Sequence, residues 1–280
     1  MDIKELQNKA TKLRIDILKM TTKANSGHVG GSLSVIDILT TLYYGEIDGE
    51  KILKCDPKNP DWEDQDYLIL SKGHAAPALY SVLADLEFFP KEELNSLRQV
   101  NSLLQGHPVI KIPGVNMTTG SLGQGLSVAN GIAMSLKLDK KESKVFCVIG
   151  DGELQEGQVW EAAMTSAHYK LDNLIGFVDN NKLQIDGFCA AIMNVEPIQN
   201  KFEAFGWKVI KVLDGNDVGQ LLDAISKAQN VTRQPTLILA NTIKGKDVCF
   251  AENKCSYHGV ALSEEELVEA VKYLEEKLVR

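Results

Sequence analysis

Two stretches decide the fold. Val145-Phe146-Cys147-Val148-Ile149 runs directly into Gly150-Asp151-Gly152-Glu153-Leu154-Gln155-Glu156-Gly157. Later, Leu174-Ile175-Gly176-Phe177-Val178 runs into Asp179-Asn180-Asn181-Lys182-Leu183. Each begins as a short, fully apolar run, the pattern of a strand buried on both faces. Between them, residues 155–170 have helical spacing, so the pair reads as one strand–helix–strand crossover with neighbouring parallel strands. Outward from this unit the same alternation recurs, with strands at 67–70, 207–212 and 236–240. Helices are expected at 1–20, 35–44 (capped by Ser34), 75–87, 91–104, 125–138, 217–229 and 263–279, the last capped by Ser263. The expected fold is α/β: one domain over residues 1–280, a mostly parallel sheet covered by helices on both faces. Such sheets bind ligands beyond the carboxyl ends of their strands, so the residues that end each strand are the candidates for function.

Composition narrows the classes. The 280 residues are 44% hydrophobic and 24% charged, with a net charge of −8. That balance fits a folded domain and argues against nucleic acid or an anionic membrane as partner. No apolar run approaches the ~20 residues of a membrane span, and the polar amino terminus is no signal peptide. Five cysteines without a Cys-x-x-Cys pair argue against a disulfide framework or zinc knuckle and fit a reducing cytoplasm.

At the strand ends, Asp151 and Asn181 stand on neighbouring strands, which lie about 4.8 Å apart. A carboxylate, an amide oxygen and a nearby carbonyl form a partial shell of hard oxygens, suited to magnesium or calcium and not to zinc. The free amides of a helix starting near 153 would face the same spot, and Gly150 and Gly152 let a ligand approach the backbone. This is the logic of a metal-bridged diphosphate site. Gly-Asp-Gly alone is commonly only a turn; its second half, at strand–helix–strand spacing, carries the argument. The histidines add an independent signal. Four of the five, His28, His74, His107 and His258, lie beside a glycine in expected loops. Imidazoles there can bind phosphate and move protons near neutral pH. His168, the cysteines and the tryptophans are read as packing or surface; Lys72 and Lys244 have two readings, contact with phosphate or, more commonly for lysine, a solvated side chain.

These residues resemble the transketolase family. Gly150-Asp151-Gly152 with Asn180-Asn181 is similar to the thiamine diphosphate motif. Asn25-Ser26-Gly27-His28, Ser71-Lys72-Gly73-His74-Ala75, Thr118-Thr119-Gly120-Ser121-Leu122-Gly123-Gln124-Gly125 and Asp151 to Gly157 resemble transketolase in particular. The similarity runs in order from about residue 10 to 262. It implies a thiamine diphosphate-binding fold. It also implies a magnesium (or calcium) ion held by Asp151, Asn181 and the carbonyl of Leu183, with Gly150, Gly152, His74, Asn181 and His258 at the cofactor's diphosphate. Gly120 and Leu122 would line its ring system, and His28, His107 and His258 would face the donor sugar and move protons. Glu156 would link two active sites across a subunit interface. Val29, Val109 and Ser121 depart from the residues usual in the family, which bears on substrate detail.

The resemblance stops after the first domain of a full transketolase. It therefore implies the N-terminal subunit of a split enzyme, partnered by a C-terminal subunit with the pyrimidine-binding domain. A cytoplasmic two-plus-two heterotetramer acting on sugar phosphates, as in the pentose phosphate pathway, is the expectation. The activity implied is transfer of a two-carbon ketol unit from a ketose to an aldose. The alternatives are another thiamine diphosphate enzyme, either a specialised sugar transketolase or a 2-oxoacid enzyme, and a non-catalytic binding module.

Overall fold

In the computed structural model, which describes residues 1–279, chain order gives α1 (Ile3–Lys23), α2 (Val29–Tyr44), β1 (Glu46–Ile47), β2 (Glu50–Lys51), β3 (Tyr67–Leu70), α3 (Ala76–Asp85) and α4 (Gly125–Leu138). Then follow β4 (Val145–Gly150), α5 (Gly157–His168), β5 (Leu174–Asn180), α6 (Cys189–Ile192), α7 (Ile198–Ala204), β6 (Lys208–Val212), α8 (Val218–Gln229), β7 (Thr236–Asn241) and α9 (Glu264–Val279). Five strands form one sheet in the order β3-β4-β5-β7-β6, every pairing parallel. The crossover pair β4 and β5 are neighbours, in register from Val145↔Leu174 to Gly150↔Asp179. β1 and β2 are a separate antiparallel hairpin.

Both faces of the sheet are covered, and the period of two along each strand divides the core. Phe146 and Val148 join Phe177 and Ile238 in a cluster with α1, α2, α3, α8 and α9. Val145, Cys147 and Ile149 point the other way, into a cluster with α4, α5 and α7. This double covering is why the strands read as continuous apolar runs rather than alternating ones. At α1 the Asp2 side chain accepts from the Glu5 amide while Glu5 accepts from the Asp2 amide, a reciprocal cap. Ser263 and Glu266 do the same at α9, as expected from Ser263.

Three expectations are corrected. α2 begins at Val29, so Ser34 does not cap it; Ser34 lies in the helix interior, with its hydroxyl bonded to the Gly31 carbonyl and to Asp179. The region 91–104 holds only a 3₁₀ turn, Lys91–Ser96, because Arg98 and Asn101 adopt φ of 61° and 65°, outside the helical range. The segment after Asp151 is a 3₁₀ turn, Gly152–Gln155, and α5 starts only at Gly157. Two α-helices start at the histidines instead: α2, with His28 at its cap position, and α3, two residues after His74.

Candidate active site at the carboxyl ends of the strands

The tips of β4 and β5 are joined by direct hydrogen bonds. The Asp151 carboxylate accepts from the amides of Gly152 (2.8 Å) and Lys182. Asn181 Oδ1 accepts from the Leu183 amide at 3.1 Å, and the Leu183 carbonyl accepts from Lys244 Nζ at 3.1 Å. Asp151, Asn181 and Leu183 thus share one small loop cluster, and all three are buried. Burial, followed by the like charge of Asp179, pushes the Asp151 carboxyl up to about 6. Such a carboxylate gains from a cation beside it. Among the described residues no three His, Cys, Asp or Glu side chains cluster as a metal site. The donor set here is instead one carboxylate, one amide oxygen and one carbonyl that already faces an ammonium, a set that fits a hard divalent cation.

Beneath this loop lies a charge network that sequence reasoning missed. Asp179 has no exposed surface and accepts from Lys72 Nζ, Ser34 Oγ (2.6 Å) and Thr242 Oγ1. Lys72 also donates to the Gly31 carbonyl at 3.1 Å. Lys72 and Lys244 are 2% and 1% exposed, so the expectation of solvated lysines is overturned. Burial, then the charge of Lys72, lowers the Lys244 amine to about 8. A signal was available: each lysine closely follows a strand and directly precedes a glycine, as Lys72-Gly73 and Lys244-Gly245.

The histidines converge on this network. Ring centroids of His28, His74 and His258 are 5.1, 5.4 and 5.4 Å apart. Lys244 Nζ lies 2.6 Å from His258 Nδ1. An ammonium can only donate, so Nδ1 accepts and the imidazole proton sits on Nε2. Burial, then Arg98, lowers His28 to about 4, and burial, then Lys244, lowers His258 to about 3. His74 is held well below its ordinary value by burial and Lys72. All three are neutral at physiological pH. The His28 Nδ1 atom is buried without a partner, a polar group aimed at nothing in the chain. Gly30 permits the packing here, since a Cβ on it would stand 3.0 Å from Lys244 Cγ and from the Tyr257 carbonyl.

The remaining candidates are placed as follows. His107 is exposed, and its ring lies 3.2 Å from where a Cβ on Gly120 (φ +155°) would stand. Leu122 is half-buried in the same loop. Glu156 is exposed and contacts no partner carboxylate within the chain; its neighbour Glu153 is the buried one. Glu153 accepts from Ser71 Oγ, the Gly123 amide (2.8 Å) and the Gly150 amide (3.1 Å), tying three loops to one carboxylate. The segment bearing Lys244 and His258 is fastened from behind. The Gly245 amide donates to the Gly30 carbonyl at 3.0 Å, and Asp247 pairs with Arg14 at 3.5 Å and with Lys277 at 2.8 Å.

A buried carboxylate and amide at neighbouring strand tips, ringed by neutral imidazoles and two lysines in a parallel α/β domain, make an arrangement with the chemistry to receive a polyanion. The family of transketolase thiamine diphosphate-binding domains matches residues 5–276, and the chain belongs to it. It is 42% identical, over 98% of its length and 97% of the relative's, to the 6-deoxy-6-sulfo-D-fructose transketolase subunit of a Clostridium species. It is 40% identical to an apulose-4-phosphate transketolase subunit of Actinobacillus succinogenes, covering 91% of this chain and 90% of that one. Against human transketolase the identity is 41% over 93% of this chain but 40% of the relative. The solved Campylobacter jejuni transketolase superposes with a TM-score of 0.90 at 37% identity, over 100% of this chain and 43% of that one. The chain thus spans about two-fifths of the full-length transketolases. No helix among the described residues is long and apolar enough to cross a membrane.

Proposed function

We propose that this chain is the N-terminal, diphosphate-binding subunit of a split transketolase. In this reading it acts in the cytoplasm with a C-terminal subunit that carries the pyrimidine-binding domain, in a two-plus-two assembly. The complex transfers a two-carbon ketol unit between sugar phosphates. The observation that carries this reading is the convergence of His28, His74 and His258, 5.1–5.4 Å apart, on the loop that gathers Asp151, Asn181 and Leu183. The likeness over full length to relatives named as transketolase subunits supports the need for a partner. So do Ile185, Phe188, Ile192 and Met193, four exposed apolar side chains just beyond that loop.

Thiamine diphosphate, when bound, supplies the electron sink for cleaving and forming the carbon–carbon bond. This chain's residues bind and orient it and move protons. Asp151, Asn181 and the Leu183 carbonyl hold a magnesium (or calcium) ion that neutralises the diphosphate. Gly150, Gly152, His74 and Asn181 receive the diphosphate, with His258 beside it. Gly120 and Leu122 line the ring system. His258, with its proton fixed on Nε2 by Lys244, donates to a substrate oxygen; His28, neutral and with an unpartnered Nδ1, accepts a proton. His107 faces the sugar from the Gly120 side, and Glu156 reaches the second site across the interface. A positioned acid or base of this kind contributes roughly 10²–10⁴-fold to rate.

The test is to co-purify the chain with its C-terminal partner and assay ketose phosphates against 2-oxoacids, with and without cofactor and magnesium. Two-carbon transfer by the complex alone supports the proposal. Turnover of 2-oxoacids only would assign another thiamine diphosphate enzyme, and cofactor binding without turnover would assign a binding module. A second reading, a transketolase specialised for an unusual sugar, is favoured by the relatives named for a sulfosugar and for apulose 4-phosphate. A sulfonated ketose in the same assay discriminates it.

A further inference from the structure

Arg98 is one of four arginines in the chain and, among the described residues, the one at the histidine site. Arg14 is buried beneath α2 and Arg233 lies beside Asp172 at the far end of the sheet. The backbone at Arg98 holds φ +61°, a conformation uncommon for residues other than glycine, and its amide donates to the Leu104 carbonyl at 2.8 Å. That turn sends the side chain back toward two loops at once. Arg98 Nη1 donates to Ser26 Oγ at 3.1 Å, two residues before His28. The guanidinium also packs against Gly106, one residue before His107, where an added Cβ would stand 2.8–3.0 Å from its atoms. No carboxylate lies within ion-pairing distance of Arg98 among the described residues. An arginine held in an unusual backbone conformation, bonded to one histidine loop and packed on the other, without a counter-charge, is placed for those loops.

We infer that Arg98 is a positioning residue that yokes the His28 loop to the His107 loop and sets both imidazoles at the substrate face of the site. The inference deepens the transketolase reading and rests on it for the kinetic consequence only. The charged and titratable groups facing His28 are Arg98, His107, Lys244, Lys72, His74 and His258; no carboxylate is among them. For His107, burial and Arg98 are the two causes that hold it below its ordinary value. Arg98 therefore has two effects, a tether and a positive charge that adds to burial in holding both imidazoles below their ordinary value.

Three variants separate these effects. Arg98→Met removes tether and charge, Arg98→Lys keeps the charge, and Gly106→Ala displaces the guanidinium with no change of charge. The His28 and His107 imidazole titrations of the full chain, followed by NMR with labelled histidine, are expected to move upward in Arg98→Met and to stay near wild type in Arg98→Lys. In the reconstituted complex, Arg98→Met and Gly106→Ala should each lower kcat by about 10- to 100-fold, the scale of losing one charge-assisted hydrogen bond. Together they should lower it no further, and cofactor affinity by calorimetry should stay within about twofold. Arg98→Lys should recover part of kcat. Unmoved imidazole titrations in Arg98→Met overturn the inference, as does a fall in cofactor affinity that matches the fall in kcat, the mark of a general structural role. If the wild-type complex transfers no ketol unit, the proposed function fails while the imidazole titrations still decide the role of Arg98.

Discussion

The two ends of the central sheet carry the same residue types and use them in opposite ways. At the amino end, Lys54, Lys141 and Lys144 surround a hollow of about 670 Å³ with Trp62, Asp64 and Asp66. There Lys141 pairs at 3.2 Å with an Asp64 side chain that is 70% exposed. At the carboxyl end, Lys72 and Lys244 are almost wholly enclosed, and Asp179 is fully so. Water screens the Lys141–Asp64 pair and leaves its energetics small. In the second set each charge depends on a partner, because a buried charge left alone costs several kcal/mol. The volume of a hollow is therefore a poorer guide to chemistry in this molecule than the enclosure of its charges.

The contrast can be broken by substitution at either end. The largest effect is expected at His258: in His258→Asn, kcat for ketol transfer by the complex should fall roughly 10²–10⁴-fold. Comparable activity in that variant would remove His258 from the proton steps. Next, Asp151→Ala should weaken magnesium-dependent cofactor binding about 100-fold or more, since it deletes the one carboxylate of the donor set. Calorimetric titration measures this, and unchanged affinity would reject the assignment. Glu153→Ala strands the Ser71 hydroxyl and the Gly123 and Gly150 amides, and should cost about 3 kcal/mol in denaturant unfolding. Lys141→Met at the amino end should leave the denaturant midpoint of unfolding within error of wild type, and a clear loss would erase the contrast.

The most diagnostic effect is in pH. His28 and His258 fall from 6.5 to about 4 and about 3 on folding. Below pH 6.5 the unfolded chain therefore takes up protons that the folded chain refuses, and these rings withdraw stability as pH drops toward 4 and 3. Asp151, raised from 3.8 to about 6, acts in the opposite sense between those values, because there the folded chain holds the extra proton. Unfolding free energies of wild type and His258→Asn should thus converge as pH falls from 6.5; parallel curves would refute the buried neutral imidazole.

Much of this was legible in the sequence because the strands are buried on both sides. Runs such as Val145 to Ile149 have no polar residue to confuse the reading, and the residue ending each run marks the site. The histidines announced themselves through adjoining glycines. What escaped has one physical cause: it depends on contacts far apart in the chain. Ser34 looks like a helix cap locally, yet its hydroxyl serves Asp179, 145 residues away. Lys72 and Lys244 look solvated until Asp179 and Leu183 are brought beside them. Residues 91–104 have helical spacing, but the turn at Arg98 that reaches back to Ser26 overrides it.

The order of the strands has a consequence for how the molecule is born. β7 inserts between β5 and β6, so Asp179 meets Thr242, and Leu183 meets Lys244, only when the chain beyond residue 241 has been made. Domains are synthesised from the amino terminus at roughly 5–20 residues per second. For some seconds the nascent polypeptide holds Asp151, Asp179 and Asn181 without their second lysine or His258, and the cluster of charges and imidazoles closes only after residue 258 has been made.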